Sequence, residues 1–328
     1  MARLNIVEAL NSALKEEMAR DPAVMLLGED VGEDGGVFRV TEGLHQLYGS
    51  QRVYDTPLAE SGIVGVSVGL ALAGMKPVAE IQFDGFTFPI LDQVVNHVGR
   101  MRSRTRGRHH LQMVVRFPYG AGIKGVEHHS ESPEAYFART PGVKVVIPSN
   151  PYDAKGLVLA AIRDPDPVIF MEPKRIYRAF RQEVPEGDYT VPLCQAQVVR
   201  EGKDVTLIAW GAMVREALQA AEKVQRQMSC EVVDVRTLSP LDLPTLEASV
   251  KKTGRAVVIQ EAPRNCGVAA EIAALLGERL FFSLESPIRR VTGWDVVMPY
   301  PKLEPYYLVS SDRIVQVLET LREAKPVA

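Results

Sequence analysis

Two short stretches of the 328-residue chain carry side chains whose type and setting suit proton transfer or ligand binding. Glu60 follows Asp55-Thr56-Pro57, a capping residue and a first-turn proline that together predict a helix start. The apolar segment from Ile63 to Ala73 comes directly after it. A carboxylate in that place either complements a helix N-terminus, worth about 0.3–1 kcal/mol, or faces a ligand nitrogen. In the second case an apolar wall favours hydrogen bonding over solvation. His128 and His129 follow the glycine-rich stretch Gly120-Ala121-Gly122-Ile123-Lys124-Gly125 and precede Ser130-Glu131-Ser132-Pro133-Glu134. Loops at strand ends are where α/β proteins place ligands; a solvated loop histidine is the plainer alternative.

Other patterns lead away from function. Gly65-Val66-Ser67-Val68-Gly69 matches the GxSxG nucleophile elbow, but that device needs a strand running into the serine, and here the motif lies inside a helical stretch. Neither a GxxxxGK[ST] loop nor a GxGxxG after a strand occurs. The pairs His109-His110 and His128-His129 lack an HExxH or CxxC companion, so no metal site is expected. Arg100, Arg102, Arg104, Arg106, Arg108 and Arg116 accumulate between Gln93 and Val126, where no carboxylate occurs. Without interleaved aromatics this reads as a solvated helix end or a contact with an acidic partner subunit, not a nucleic-acid surface. The formal net charge of −3 agrees.

The length suggests two α/β domains or one large one. With 46% apolar and 24% charged residues the composition is that of an ordinary soluble protein with a sizeable core. Cys194, Cys230 and Cys266 are far apart and form no disulfide framework. The first residues lead into an amphipathic helix rather than a signal peptide, and the longest apolar stretch, Ile63 to Ala73, is too short to span a bilayer. The expectation is a cytoplasmic protein with no membrane attachment.

Ile6, Leu10, Ala13, Leu14 and Met18 fall on one face at helical spacing. Strands are expected at Val24 to Gly28, Val78 to Phe83, Met113 to Phe117, Val143 to Ile147 and Val168 to Met171, with helices at Ile90 to Met101 and Tyr152 to Ile162. From Glu172 to about Lys203, prolines, glycines and charges break the pattern, and 173–203 reads as an interdomain linker. Strands then alternate with helices from Val205 to Leu276. That order predicts a mostly parallel sheet flanked by helices in each domain.

Gly28-Glu29-Asp30-Val31-Gly32, Asp55-Thr56-Pro57-Leu58-Ala59-Glu60, Glu80-Ile81-Gln82-Phe83 and His128-His129-Ser130-Glu131-Ser132-Pro133-Glu134-Ala135 occur in that order. Pro151 to Leu157, Glu172-Pro173-Lys174-Arg175, Asp234 to Leu238 and Lys252 to Arg255 extend the series. The series, from about Asn5 to Leu321, resembles the β subunit of the thiamine-diphosphate-dependent, decarboxylating first component of 2-oxo acid dehydrogenase complexes.

The resemblance implies a transketolase-like α/β fold of two domains, each with a mostly parallel sheet flanked by helices. Residues 1–172 would bind the cofactor's aminopyrimidine and 204–328 would form the transketolase C-terminal-like domain. It implies that Glu60 hydrogen-bonds the pyrimidine N1′ and promotes the imino tautomer, whose N4′ takes the thiazolium C2 proton. Glu29, Leu58, Ala59, Gln82 and Phe86 match cofactor-pocket positions. Phe86, Thr87, Phe88, Pro89 and Glu131 would line the substrate side. His129 matches the histidine that donates or accepts a proton in acyl transfer to a lipoyl group, work that suits an imidazole neutral near pH 7.

The Gly-Asp-Gly and Asn-Asn strings that bind diphosphate and Mg²⁺ in such enzymes do not occur here. The resemblance therefore implies that a separate α subunit holds the Mg²⁺, in an α2β2 heterotetramer that passes its acyl group to a lipoylated acyltransferase core. Position 86 is Phe where relatives often carry Tyr, and position 131 is Glu where many carry Gln. A carboxylate beside His129 is expected to raise its pKa. The implied substrate is a branched-chain 2-oxo acid such as 2-oxoisovalerate, with pyruvate as the alternative. A non-catalytic interaction subunit is the competing class of function.

Overall fold

The computed structural model describes residues 1–323. Its first sheet has seven strands in the spatial order Thr237–Ser239, Lys144–Val146, Val168–Pro173, Val114–Tyr119, Lys76–Glu80, Val24–Gly28 and Val53–Asp55. All neighbours are parallel except Thr237–Ser239, which runs antiparallel to Lys144–Val146. Strands Val24–Gly28, Val114–Tyr119 and Val168–Pro173 are buried along their whole length. Burial on both faces is why they read as continuous apolar runs rather than alternating ones.

Helix Ile6–Arg20 covers one face. Asn5 and Glu8 form a reciprocal capping box at its start, and Ile6, Leu10, Ala13, Leu14 and Met18 are buried as their spacing predicts. It packs on helix Pro151–Arg163, whose Asn150 side chain accepts from Asp153 N at 2.9 Å. Arg163 Nη2 reaches the buried Glu17 carboxylate at 2.6 Å and joins the two helices.

The second sheet has the order Arg289–Val291, Ala256–Ile259, Val205–Ala209, Cys230–Asp234 and Gln197–Arg200, the last being its one antiparallel edge. Helices Ala212–Val224, Leu243–Thr253, Val268–Leu280 and Ser311–Glu323 accompany it. Among the described residues no helix is long and apolar enough to cross a membrane.

Several local expectations change. The helix expected from Asp55-Thr56-Pro57 begins at Glu60, because the Asp55 carboxylate accepts from Gly32 N at 2.6 Å instead of capping. The helix expected over Ile90 to Met101 is broken into Leu91–Gln93, a π-helical turn Val94–Val98 and Met101–Arg104. The wide turn brings Gly99 so close to Pro141 that a Cβ would sit 2.6 Å from its carbonyl oxygen. Within 173–203, Gln182–Val184 pairs with Ala2–Leu4, and Gln197–Arg200 edges the second sheet. Thr237–Ser239 crosses back to join the first sheet, so the two halves of the chain share a sheet edge.

Candidate active site

Parallel strands bring their carboxyl ends to one edge of the first sheet, and the loops leaving that edge carry the chemistry. Strand Val24–Gly28 leads into Glu29, and its neighbour Val53–Asp55 leads through Thr56 to Ala59 into Glu60. Thr56 N donates to Gly28 O at 2.8 Å, holding the two exits together. Glu60 is the first residue of helix Glu60–Leu72, where the unpaired amides favour a carboxylate. Burial, and then the charge of Glu60, push the Glu29 carboxyl above its ordinary range. The sheet thus places two carboxylates within electrostatic reach of one another. Gln82 Nε2 donates to Asp30 Oδ2 at 2.7 Å, tying the exit of strand Lys76–Glu80 to the Glu29 loop.

Phe83 and Phe86 enclose His129. The Phe83 and His129 ring centroids lie 4.2 Å apart and those of Phe86 and His129 5.4 Å apart, both edge-to-face. Phe86 sits on the short turn Asp84–Thr87, His129 on the turn Glu127–His129. Ser61 Oγ donates to Pro89 O at 2.6 Å, fastening the first turn of the Glu60 helix to the segment that carries Phe86. Thr87 is buried with its hydroxyl on Asp84 O, while Phe88 is exposed and meets Tyr136 edge-to-face at 5.9 Å. Leu58 projects into solvent with 76% exposure, beside an exposed Ala59.

His129 Nδ1 is buried without a hydrogen-bond partner. Burial, the Lys174 ammonium and His128 all hold the imidazole below its ordinary pKa. This reverses the expectation drawn from Glu131. That residue is half-buried, its own carboxyl is pushed up by burial, and its backbone carbonyl takes the Gly120 amide at 2.8 Å.

Sequence reasoning passed over most of the groups that support this edge and counted Arg116 with a solvated or partner-facing basic stretch, a reading that its burial in a strand overturns. Arg116 is buried between Glu80 and Glu172, with bonds of 2.6 and 2.7 Å to the two Glu172 oxygens. Tyr177 Oη donates to the same carboxylate at 2.6 Å. An arginine inside the apolar run Met113 to Phe117 was a legible sign, because a charge in a buried strand requires a partner. Lys174 and Asp84 form a second, fully buried ion pair. Two carboxylates from the second half of the chain hold the glycine-rich loop. Glu261 accepts from Ala121 N at 2.7 Å, and Glu304 accepts from Gly122 N at 2.6 Å and Lys124 N at 3.3 Å. Nothing local in the sequence announces contacts of such separation.

The discarded patterns stay apart from the site. Ser67 Oγ donates to Ile63 O at 2.8 Å inside the helix, with no strand before it. Among the described residues no group of three or more His, Cys, Asp or Glu side chains is placed to hold a metal ion. The basic stretch frames a separate cavity of about 920 Å³, lined by Arg100, Arg102, Arg104 and Arg139.

Comparison with known proteins agrees with this architecture. Residues 2–179 match the transketolase pyrimidine binding domain, and 194–314 match the transketolase C-terminal domain. The pyruvate dehydrogenase E1 component subunit beta of Acholeplasma laidlawii is 50% identical over 99% of this chain and 100% of its own length. The protein of that name from Bacillus subtilis is 49% identical over 98% of this chain and 99% of its own. A solved structure described as a split gene transketolase, inactive beta4 tetramer, superposes with a TM-score of 0.79 at 22% identity, covering 98% of this chain and 99% of that one. At that identity it speaks for the fold. Two domain matches in the expected order, and identity near one half along the whole length, place this chain in the transketolase-like family of E1 β subunits of 2-oxo acid dehydrogenases.

Proposed function

We propose that this chain supplies the pyrimidine-binding and acyl-transfer half of a 2-oxo acid dehydrogenase site completed by an α subunit. The observation that carries the proposal is the convergence of Glu60 and Glu29 with the Phe83–Phe86–His129 cluster at one sheet edge. On this reading 1–172 is the pyrimidine-binding domain, 173–203 the connection and 204–328 the transketolase C-terminal-like domain.

The donor set fits an aminopyrimidine. A carboxylate at a helix start suits a protonated ring nitrogen, and Phe86 and Leu58 offer apolar surface to a flat ring. It does not fit a diphosphate with its metal, since among the described residues no carboxylate or imidazole group is arranged to hold one. The Mg²⁺ and diphosphate therefore fall to the partner α subunit, in an α2β2 assembly. When bound, thiamine diphosphate supplies the electron sink for loss of CO2 from a 2-oxo acid. Glu60 holds a proton at the pyrimidine N1′, with Glu29, Leu58, Ala59 and Gln82 around the ring. Phe86, Thr87, Phe88, Pro89 and Glu131 border the substrate. His129, whose lowered pKa makes its protonated ring a ready donor, would give a proton to the dithiolane sulfur released when the S–S bond of the lipoyl group opens and its other sulfur takes the acyl group.

The substrate reading moves from a branched-chain 2-oxo acid to pyruvate, because the relatives near 50% identity carry the pyruvate dehydrogenase name. One methylene in a pocket changes selectivity by only about 1–3 kcal/mol, so the test compares the two directly. The chain is mixed with its α partner, thiamine diphosphate and Mg²⁺, and decarboxylation is followed with an artificial electron acceptor. Turnover only in the mixture, faster with pyruvate than with 2-oxoisovalerate and lost in Glu60→Gln with assembly intact, is the expected result. Faster turnover of 2-oxoisovalerate restores the branched-chain assignment. Full activity of the assembled Glu60→Gln enzyme identifies a non-catalytic subunit.

A further inference from the structure

Beside the Phe83 ring that packs on His129 lies a pair of charges for which the family assignment gives no reason. Lys174 and Asp84 are both fully buried, and the Lys174 ammonium meets Asp84 Oδ1 directly. Asp84 Oδ2 has no hydrogen-bond partner. Lys174 opens the turn Lys174–Ile176 at the end of strand Val168–Pro173, and Asp84 opens the turn Asp84–Thr87 after strand Lys76–Glu80. The pair therefore clamps two loops that leave the same sheet edge from different strands. Lys174 Nζ lies 5.6 Å from the centre of the Phe83 ring, whose edge-to-face partner is His129. Gly85, the next residue after Asp84, packs against the backbone of His128.

A buried ion pair is weak evidence of a stabilising role, because an apolar pair of similar volume holds a core as well or better. Its position is the informative feature. We propose that the Lys174–Asp84 pair is the positioning element of His129: it fixes the Phe83 ring on which the imidazole packs and sets the Lys174 ammonium beside that ring. A fixed cation near the imidazole disfavours the imidazolium and presents the neutral form. Other charges also bear on His129. His128 on its own turn adds to the effect of Lys174, Glu127 begins that turn, and Glu131 follows it. Lys174 and Asp84 are positioning residues, since His129 alone of the three reaches the reacting atoms. This inference deepens the function proposed above and rests on it for the role of His129, but its test does not.

The test measures the protonation of His129 without turnover. The full chain, assembled with its α partner, is treated with diethyl pyrocarbonate across pH 5–8, and modification of His129 is read by peptide mass spectrometry. The wild type is expected to titrate below the ordinary histidine value of about 6.5. Lys174→Arg, which keeps the charge, is expected to stay low. The double variant Asp84→Asn with Lys174→Gln removes both charges, and its midpoint is expected to rise by roughly half a unit to one unit. A double variant with native circular dichroism and an unmoved midpoint overturns the proposal, as does Lys174→Arg titrating like the double variant. If the double variant does not fold, the single variant Lys174→Gln decides by the same criterion. A failed decarboxylation assay refutes the function and leaves these midpoints readable.

Discussion

Gly85 lies so close to His128 that a Cβ at position 85 would fall 2.4 Å from the His128 carbonyl oxygen and 2.7 Å from its Cα. The two residues belong to different loops, one after strand Lys76–Glu80 and one after strand Val114–Tyr119, and their contact sets the depth of His129 beside Phe83 and Phe86. Gly125 repeats the device, since a Cβ there would meet His129 Cβ at 2.9 Å. The position of the imidazole thus depends on missing side chains as much as on present ones.

Gly85→Ala is expected to push the 127–129 turn away from the site. Overpacking of this kind costs about 1–3 kcal/mol. A misplacement near 1 Å lowers a geometry-dependent step roughly 10²-fold. Acyl transfer to a lipoylated acceptor should fall by that amount in the α2β2 enzyme. Decarboxylation with an artificial acceptor should fall less. A folded variant with wild-type acyl transfer would show that the contact has no part in placing His129.

Ser67 offers the opposite expectation. Its hydroxyl serves only the Ile63 carbonyl one turn back, a bond that competes with helix geometry. Ser67→Ala should change stability by no more than about 0.5 kcal/mol and leave turnover of the assembled enzyme intact. Loss of an esterase-like activity in this variant would revive the hydrolase reading of the GxSxG string.

The contrast between these residues shows what the sequence made legible. Apolar runs such as Val24 to Gly28 and Val168 to Met171 announced buried parallel strands, and His129 was legible in a loop after a strand, whereas the edge it shares with Glu60 appears only in the sheet order. Glu60 was placed at a helix start by a capping pattern that belongs elsewhere: Asp55 serves Gly32, and the helix begins without a side-chain cap. The sign of the His129 shift does not follow from Glu131, two residues along the chain, because burial lowers the imidazole pKa first and the charge of Lys174, which arrives from another strand, adds to it. Thr237–Ser239 was missed because a strand of three residues is too short for any periodicity to show.

Glu134 gives a pH signature. It is fully buried, neither carboxylate oxygen has a hydrogen-bond partner, and burial pushes its pKa up to about 8. The unfolded value is about 4.3. Between those values the folded chain holds a proton that the unfolded chain has lost, so stability falls as pH rises through that window. Glu134→Gln stays neutral throughout. It should therefore be more stable than the wild type at pH 7, by roughly 3–4 kcal/mol, with the gap closing towards pH 4.5. Asp84 and Asp234, each raised by burial to about 7, keep part of the slope in both proteins. Urea unfolding at pH 5, 6, 7 and 8 measures the difference; a gap independent of pH would mean that Glu134 is ionised in the folded state.

The glycine-rich loop that leads to His129 is held from the far half of the chain. Glu304 accepts from the Gly122 and Lys124 amides, while Glu261 separately takes the Ala121 amide. Lys124 is exposed and has a positive φ of 60°, so its backbone conformation relies on outside support. Glu304→Ala removes two of the three bonds without touching Glu261, and the loop should then open far more often than the sheet beneath it. Hydrogen exchange at Gly122 and Lys124, and tryptic cleavage after Lys124, should both rise by about tenfold, equivalent to roughly 1.4 kcal/mol of lost local protection. The global unfolding midpoint should move much less. Equal increases in exchange across strand Val114–Tyr119 would show instead that Glu304 supports the whole fold, and that the loop has no separate restraint to lose.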